Sequence, residues 1–189
     1  MKYYPVLLNL KNKKSVVIGG GSVARRKAVS LLKAGSCVYV ISPRLCPGLK
    51  RLREQKRISW INSSYKKTHL KGAFLAIAAT PDKAINTKIS QDARKSGILI
   101  NAVDAEDLSD FIVPSSISKG GLILSVSTSG QAPCLSKRMR RDIERLLVPE
   151  YARFLKILEG IRRELKAKCS DPKLRSRILN ALCACKSSE

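Results

Sequence analysis

Val16-Val17-Ile18-Gly19-Gly20-Gly21-Ser22-Val23-Ala24 is a short apolar run that breaks into glycines and then into a helical pattern. Ser15 to Ile18 reads as a buried strand, and Ala24, Ala28, Leu31 and Leu32 follow at the three-to-four spacing of one helix face. Between the two, Gly19 permits a tight turn out of the strand and Gly21 lets the backbone approach a pyrophosphate. Ala24 is small enough for the helix to lie close on the sheet. The free N–H groups and positive dipole end of the helix favour an anion at the same place. The stretch therefore predicts a dinucleotide-phosphate grip, against the plainer reading of a strand-turn-helix corner with no ligand.

Outward from the glycines, Pro5 to Leu10 is a first apolar segment and Lys11 to Lys14 turns into the strand. The helix runs to Ala34 with Gly35 as its cap, and Val38 to Ile41 is a second buried strand ending at Ser42-Pro43. Leu45, Leu49 and Leu52 mark a short basic helix, Ile58 to Ile61 a third strand and Phe74 to Ala79 a fourth. Ala84, Ile85, Ile89 and Ala93 share one face of a helix capped by Gly97, and Ile98 to Val103 is a fifth strand. This alternation is α/β and predicts a doubly wound, Rossmann-like parallel sheet.

The pattern changes after Asp104. Phe111 to Ile117 and Leu122 to Ser127 flank Lys119-Gly120-Gly121, an antiparallel hairpin by its turn residues. From Ala132 the chain is helical: Leu135, Met139, Ile143, Leu146 and Leu147 form an apolar stripe, Pro149 interrupts it, and Phe154, Leu155, Leu158 and Ile161 resume it. A last amphipathic piece spans Pro172 to Cys183. The expected division is a dinucleotide domain over 1–113, a small α+β module over 114–148 and a helical segment over 149–189. A hairpin with helices too small to fold well alone more often docks on a partner subunit.

The formal charge of +23 is extreme for 189 residues. Residues 137–189 hold 15 Lys and Arg against 7 Asp and Glu, and residues 1–136 hold 22 against 7, so the excess is dispersed and not a basic tail. Dispersed positive potential suits a polyanionic small molecule, nucleic acid or an anionic membrane equally. An aromatic content of 5% disfavours a nucleic-acid-binding domain. No run has the roughly 18 apolar residues of a membrane span and the N-terminus lacks a secretory pattern, which points to a cytoplasmic protein. The six cysteines show no C-x-x-C pair and read as reduced thiols; Cys183-Ala-Cys185 lacks two further ligands, so no metal site is expected. His69, the single histidine, sits in a polar Tyr65 to His69 loop with no nucleophile motif beside it.

In an open parallel sheet the ligand lies beyond the carboxyl ends of the strands. Four sets of residues stand there: the glycine turn, Ser42-Pro43-Arg44, Ala79-Thr80-Pro81-Asp82, and Asn101-Ala102-Val103-Asp104. The second set has no Asp or Glu for ribose hydroxyls and carries Arg44 instead, which leaves NAD and NADP both open. Asp104 is a carboxylate at the mouth of a buried strand, placed to act as a general base. Glu106, Asp107 and Asp110 are its competitors, disfavoured because a strand end is pinned by the sheet and a loop is not.

Taken together these residues resemble the precorrin-2 dehydrogenase family, the module of sirohaem synthesis that also occurs as the N-terminal part of sirohaem synthase. The matching elements are Tyr4-Pro5-Val6 with Leu10, the V-x-G-G-G-x-V-A-x-R-K run from Val17 to Lys27, Leu75 to Thr80, Asn101 to Asp104, Phe111 to Ser115, and Ser127-Thr128-Ser129-Gly130 leading to Pro133 and Arg140. They span roughly residues 3 to 145. Lys137 stands where the family commonly has arginine and Ser129 where glycine is common.

The resemblance implies NAD-dependent oxidation of precorrin-2 to sirohydrochlorin by a homodimer, with Asp104 in the catalytic position; in some members the same aspartate is tied to iron insertion. It places Gly19, Gly21, Ser22 and Val23 along the cofactor pyrophosphate, Pro43 and Arg44 near the ribose, and Thr80 near the nicotinamide. Asn101, Thr128, Lys137 and Arg140 become candidate contacts to an octacarboxylate tetrapyrrole, with no nucleic acid or membrane partner. Arg138 and Arg141 share the basic helix start. The rival from another class is a non-catalytic dinucleotide-sensing module, which explains the charge and the glycines but not the Asp104 and Pro114 motifs.

Overall fold

The computed structural model describes residues 2–184, and the side chains of all of these except 146–150 and 152. They form two compact units, one up to Ile112 and one from Val113.

The first unit is a five-stranded parallel sheet of β1 (Lys14–Ile18), β2 (Cys37–Ile41), β3 (Ser59–Ile61), β4 (Leu75–Ala78) and β5 (Leu99–Ala102). Its order is β3-β2-β1-β4-β5. The chain winds outward from β1 to β3 and then returns to the other side of β1, so the topological switch point lies between β1 and β4. Strand alternation divides the core into two layers. Val17, Val38, Val40, Leu75 and Ile77 face α1 (Ser22–Lys33) and α2 (Pro47–Glu54). Val16, Ile18, Ala76, Ala78, Ile100 and Ala102 face α3 (Lys83–Lys95) and the short 3-10 turn at Lys67–Leu70. The alanines of β4 on this second face are what lets α3 sit close, through Ile89 and Ala93.

The expected stripe of α3 holds at Ile89 and Ala93 and fails at its first two positions. Ala84 and Ile85 are exposed, and the buried stripe of α3 is Asn86, Ile89, Ser90 and Ala93. Two polar residues occupy core positions because loop groups meet them: Ser90 Oγ donates to Leu108 O at 2.7 Å, and Asn86 bonds Thr80.

In the second unit β6 (Ser115–Lys119) pairs antiparallel with β7 (Leu122–Val126). Gly120 and Gly121, at φ 55° and 86°, form the two-residue turn; both angles favour glycine, and their twist matches that of the strands. Helix α4 (Pro133–Lys168) packs on both strands and α5 (Pro172–Ala184) packs on α4. Pro149 does not interrupt the helix, which is continuous through 36 residues, and the expected boundary at 148/149 falls inside it. A proline removes one backbone donor, and the remaining ladder on both sides offsets that loss. The stripe itself is divided: Leu135 and Met139 are exposed and Ile143 is half-buried, while Leu146 and Leu147 lie outside the described side chains. No described helix is long and apolar enough to cross a membrane.

Candidate functional site

The turn after β1 is shaped by close contacts at two of its glycines and by open space at the third. Gly19 has φ 130°, and a Cβ there would meet Ala79 O at 2.3 Å. Gly20 would place a Cβ 1.8 Å from Arg44 O and 2.4 Å from Ser42 Oγ. Among the described residues nothing lies within 4 Å of a Cβ on Gly21. Thus Gly19 is needed against the β4 end and Gly20 against the β2 end. Gly20 enters the sequence only as a member of the V-x-G-G-G run, a third glycine beyond what the phosphate fingerprint requires.

Gly21 is the N-cap of α1 and has no side chain to cap the helix, and the first turn holds no acidic residue. Arg25 N donates to Gly21 O at 3.0 Å, the first helical bond. The amides of Ser22 and Val23 therefore belong to a helix end that no protein side chain caps, beside an unfilled space over Gly21. Both features fit a dinucleotide pyrophosphate.

The neighbouring loops are tied to this turn by backbone bonds. Gly19 N donates to Ile41 O at 2.9 Å, Cys46 N to Gly20 O at 2.8 Å and Ala79 N to Ile18 O at 2.8 Å. Pro43 and Arg44 are exposed on the β2 loop, where Ser42 Oγ donates to Arg44 O at 2.6 Å. Thr80 is held by Asn86: its Oγ1 donates to Asn86 Oδ1 at 2.8 Å and its carbonyl accepts from Asn86 Nδ2 at 3.0 Å. Asn86 was missed from sequence, although it shares the i, i+3, i+4 face with Ile89 and Ser90.

Asp104 is exposed at the tip of a turn two residues beyond β5, with φ 57°. Val103 N donates to Ala78 O at 2.9 Å on one side of it. On the other, Ala102 N donates to Ser109 Oγ at 2.9 Å and Ile100 N to Asp110 Oδ2 at 3.2 Å. The segment after Asp104 is thus bonded back along the edge of β5. Two of the three competing carboxylates are engaged: Glu106 accepts from Lys2 Nζ at 2.6 Å and Tyr3 Oη at 2.8 Å, and Asp110 pairs with Arg94 at 2.9 Å, whereas Asp107 is met only at its backbone carbonyl, by Arg94 at 3.1 Å. Those two hydrogen bonds, from Lys2 and then Tyr3, hold the Glu106 carboxyl below its ordinary range. The Asp104 carboxylate has no hydrogen bond or ion pair among the described residues, and its charge reaches Lys27 of α1. Burial lowers the Lys27 ammonium below the usual lysine range, with Arg26 adding to the shift and Asp104 opposing it.

Asn101 is buried: its Nδ2 donates to Phe111 O at 2.9 Å, and among the described residues its Oδ1 has no partner. Thr128, Lys137 and Arg140 belong to the second unit. Thr128 Oγ1 accepts from Ala132 N at 3.0 Å and lies 3.1 Å from Ser136 Oγ, which shapes the entry to α4. Ser129 in that turn has φ 52°, a conformation that accounts physically for a preference for glycine. Arg140 pairs with Glu144 at 2.5 Å and Arg138 with Asp142 at 4.0 Å; Lys137 and Arg141 have no ion pair among the described residues. No three His, Cys, Asp or Glu side chains converge among the described residues, and Cys185 lies outside them.

A family model described as "Putative NAD(P)-binding" matches residues 6–115, and one described as the sirohaem biosynthesis protein central region matches residues 119–146. A siroheme synthase of Photobacterium profundum is 41% identical over 165 residues, 87% of this chain and 35% of that protein. One from Nitrosomonas eutropha is 42% identical over 154 residues, 81% and 32% of the two chains. The chain spans about a third of the length of these curated relatives. A solved structure of SirC, a precorrin-2 dehydrogenase, shares the fold at TM-score 0.82 and 23% identity, over 95% of this chain and 89% of that one. With a nicotinamide-dinucleotide domain over its first unit and the sirohaem module directly after it, the chain belongs to the NAD(P)-binding family of sirohaem biosynthesis proteins.

Proposed function

We propose that the protein oxidises precorrin-2 to sirohydrochlorin with NAD as acceptor. The observation that carries this reading is the uncommitted Asp104 carboxylate, held at a left-handed turn on the same sheet edge as the open Gly21 cradle. The reaction removes two hydrogens from the macrocycle, one as hydride and one as proton. NAD supplies the hydride acceptor when bound. Asp104 takes the accompanying proton, and the bonds from Ser109 and Asp110 to β5 keep it in place while it does so. Ser22 and Val23 amides bind the pyrophosphate, Arg44 lies by the ribose, and Thr80, fixed by Asn86, orients the nicotinamide end.

The substrate's carboxylates pair with the basic start of α4, where Lys137 and Arg141 carry no internal partner, joined by Arg140 after exchange from Glu144. The second unit exposes Val113, Ile123, Leu135 and Met139. A two-stranded sheet backed by one long helix buries little apolar surface alone, which supports a homodimer through this unit. The test is anaerobic conversion of precorrin-2 to sirohydrochlorin by the purified chain. The product spectrum should appear only when the dinucleotide is present, and its absence with dinucleotide bound would reject the reading.

A further inference from the structure

Lys27 closes the run that begins at Val17, and the proposed reaction leaves it without a task. Its neighbours Arg25 and Arg26 are exposed, whereas Lys27 is half-buried. It stands three residues after Ala24 and four before Leu31, both buried, and so shares the inward side of α1. A lysine turned inward loses part of its hydration, and burial accordingly holds this ammonium below the usual lysine range. No ion pair among the described residues offsets that cost.

Asp104 is its counterpart on the same sheet edge. Helical side chains lean toward the helix N-terminus, so the Lys27 stem is directed to the end of α1 that carries the Ser22 and Val23 amides. Val103, the residue before Asp104, packs on the core layer that contains Ala24, Ala28 and Leu31. Lys27 and the Asp104 turn therefore border one layer. The charges that act on Lys27 are Arg26, on α1 itself, and Asp104, from the turn beyond β5. No charged residue of β1, β2 or α2, the other elements packed on α1, is among them.

We infer that Lys27 is a positioning residue for the reaction, the counter-charge that turns the Asp104 carboxylate from the tip of its exposed loop toward the dinucleotide. The inference rests on the reaction proposed above. A carboxylate with no hydrogen bond is free to rotate away, and a proton acceptor works only when held near the proton it takes. A cation carried on a helix packed into the core narrows that freedom, and it leaves the carboxylate oxygens without a fixed protein donor.

Lys27→Met keeps the stem and removes the charge. It should lower kcat for precorrin-2 by about tenfold, with the KM and the calorimetric affinity for NAD within about twofold of the parent. Its Tm should not fall, because an inward charge without an ion pair is replaced by an apolar group. Lys27→Arg should restore kcat to within about threefold. Because the lysine loses its proton at lower pH than usual and arginine does not, Lys27→Arg should also carry activity to higher pH than the parent. In an Asp104→Ala background Lys27→Met should change the rate by less than about twofold.

Parental kcat in Lys27→Met would overturn the inference, as would a loss that persists undiminished without Asp104 or one that arginine does not rescue. An equal loss of NAD affinity would place Lys27 on the cofactor phosphates, and a marked fall in Tm would make it a structural residue; either overturns the positioning role. A parent chain that binds NAD and leaves precorrin-2 unchanged is a distinct result, which rejects the reaction and the role together.

Discussion

Gly20 and Gly21 are adjacent and carry opposite constraints. A Cβ on Gly20 has no room beside Arg44 O, so Gly20→Ala must move backbone, at a cost of about 3 kcal/mol read as a lowered urea midpoint. A Cβ on Gly21 meets no protein atom and its φ of −85° suits alanine, so Gly21→Ala should leave stability within about 0.5 kcal/mol of the parent. It should nevertheless weaken dinucleotide binding, because the methyl fills the space over the helix end; unchanged calorimetric affinity would contradict that assignment. Asp104→Ala should lower kcat by about a hundredfold or more with dinucleotide affinity retained, measured by steady-state turnover against direct titration. Sequence marked Gly19, Gly21 and Asp104 by pattern. The reason for Gly20 was not legible, because its constraint comes from the β2 loop, a neighbour in space and not in sequence.

The five strands and three helices of the first unit were legible because their apolar residues alternate or recur at helical spacing, and each expected boundary lay within one or two residues of that observed. Helix α3 keeps Ile89 and Ala93 on its buried face but departs from the expected stripe elsewhere. Ala84 and Ile85 are apolar but exposed, while Asn86 and Ser90 are polar but buried, since the loops at Thr80 and Leu108 supply hydrogen bonds that a hydropathy pattern does not record. Asn86→Ala should therefore cost about 2 kcal/mol through its lost bonds to Thr80 and raise the KM for dinucleotide, with the larger effect on binding. A thermal melt and initial rates check the two parts separately. Pro149 misled for a related reason: local chemistry favours a break, but a helix of 36 residues packed on a hairpin persists through one lost backbone bond.

At the scale of the whole molecule the charge of +23 has a natural counterpart in the proposed substrate, which carries eight carboxylates. Exposed charges about 10 Å apart are largely screened at 0.1 M salt, so the KM for the tetrapyrrole should rise several-fold as salt is raised from low to about 0.5 M while kcat changes little. A KM indifferent to salt would detach the charge from the substrate. Dispersed charge was readable from composition, but its partner was not, because potential alone does not distinguish one polyanion from another. The most direct test of the account is absorbance at 340 nm during anaerobic turnover of precorrin-2 with NAD, set beside the sirohydrochlorin spectrum. One NADH formed per sirohydrochlorin, with both abolished together in Asp104→Ala, is the predicted result. Sirohydrochlorin formed without NADH, or at the parent rate in Asp104→Ala, would contradict it.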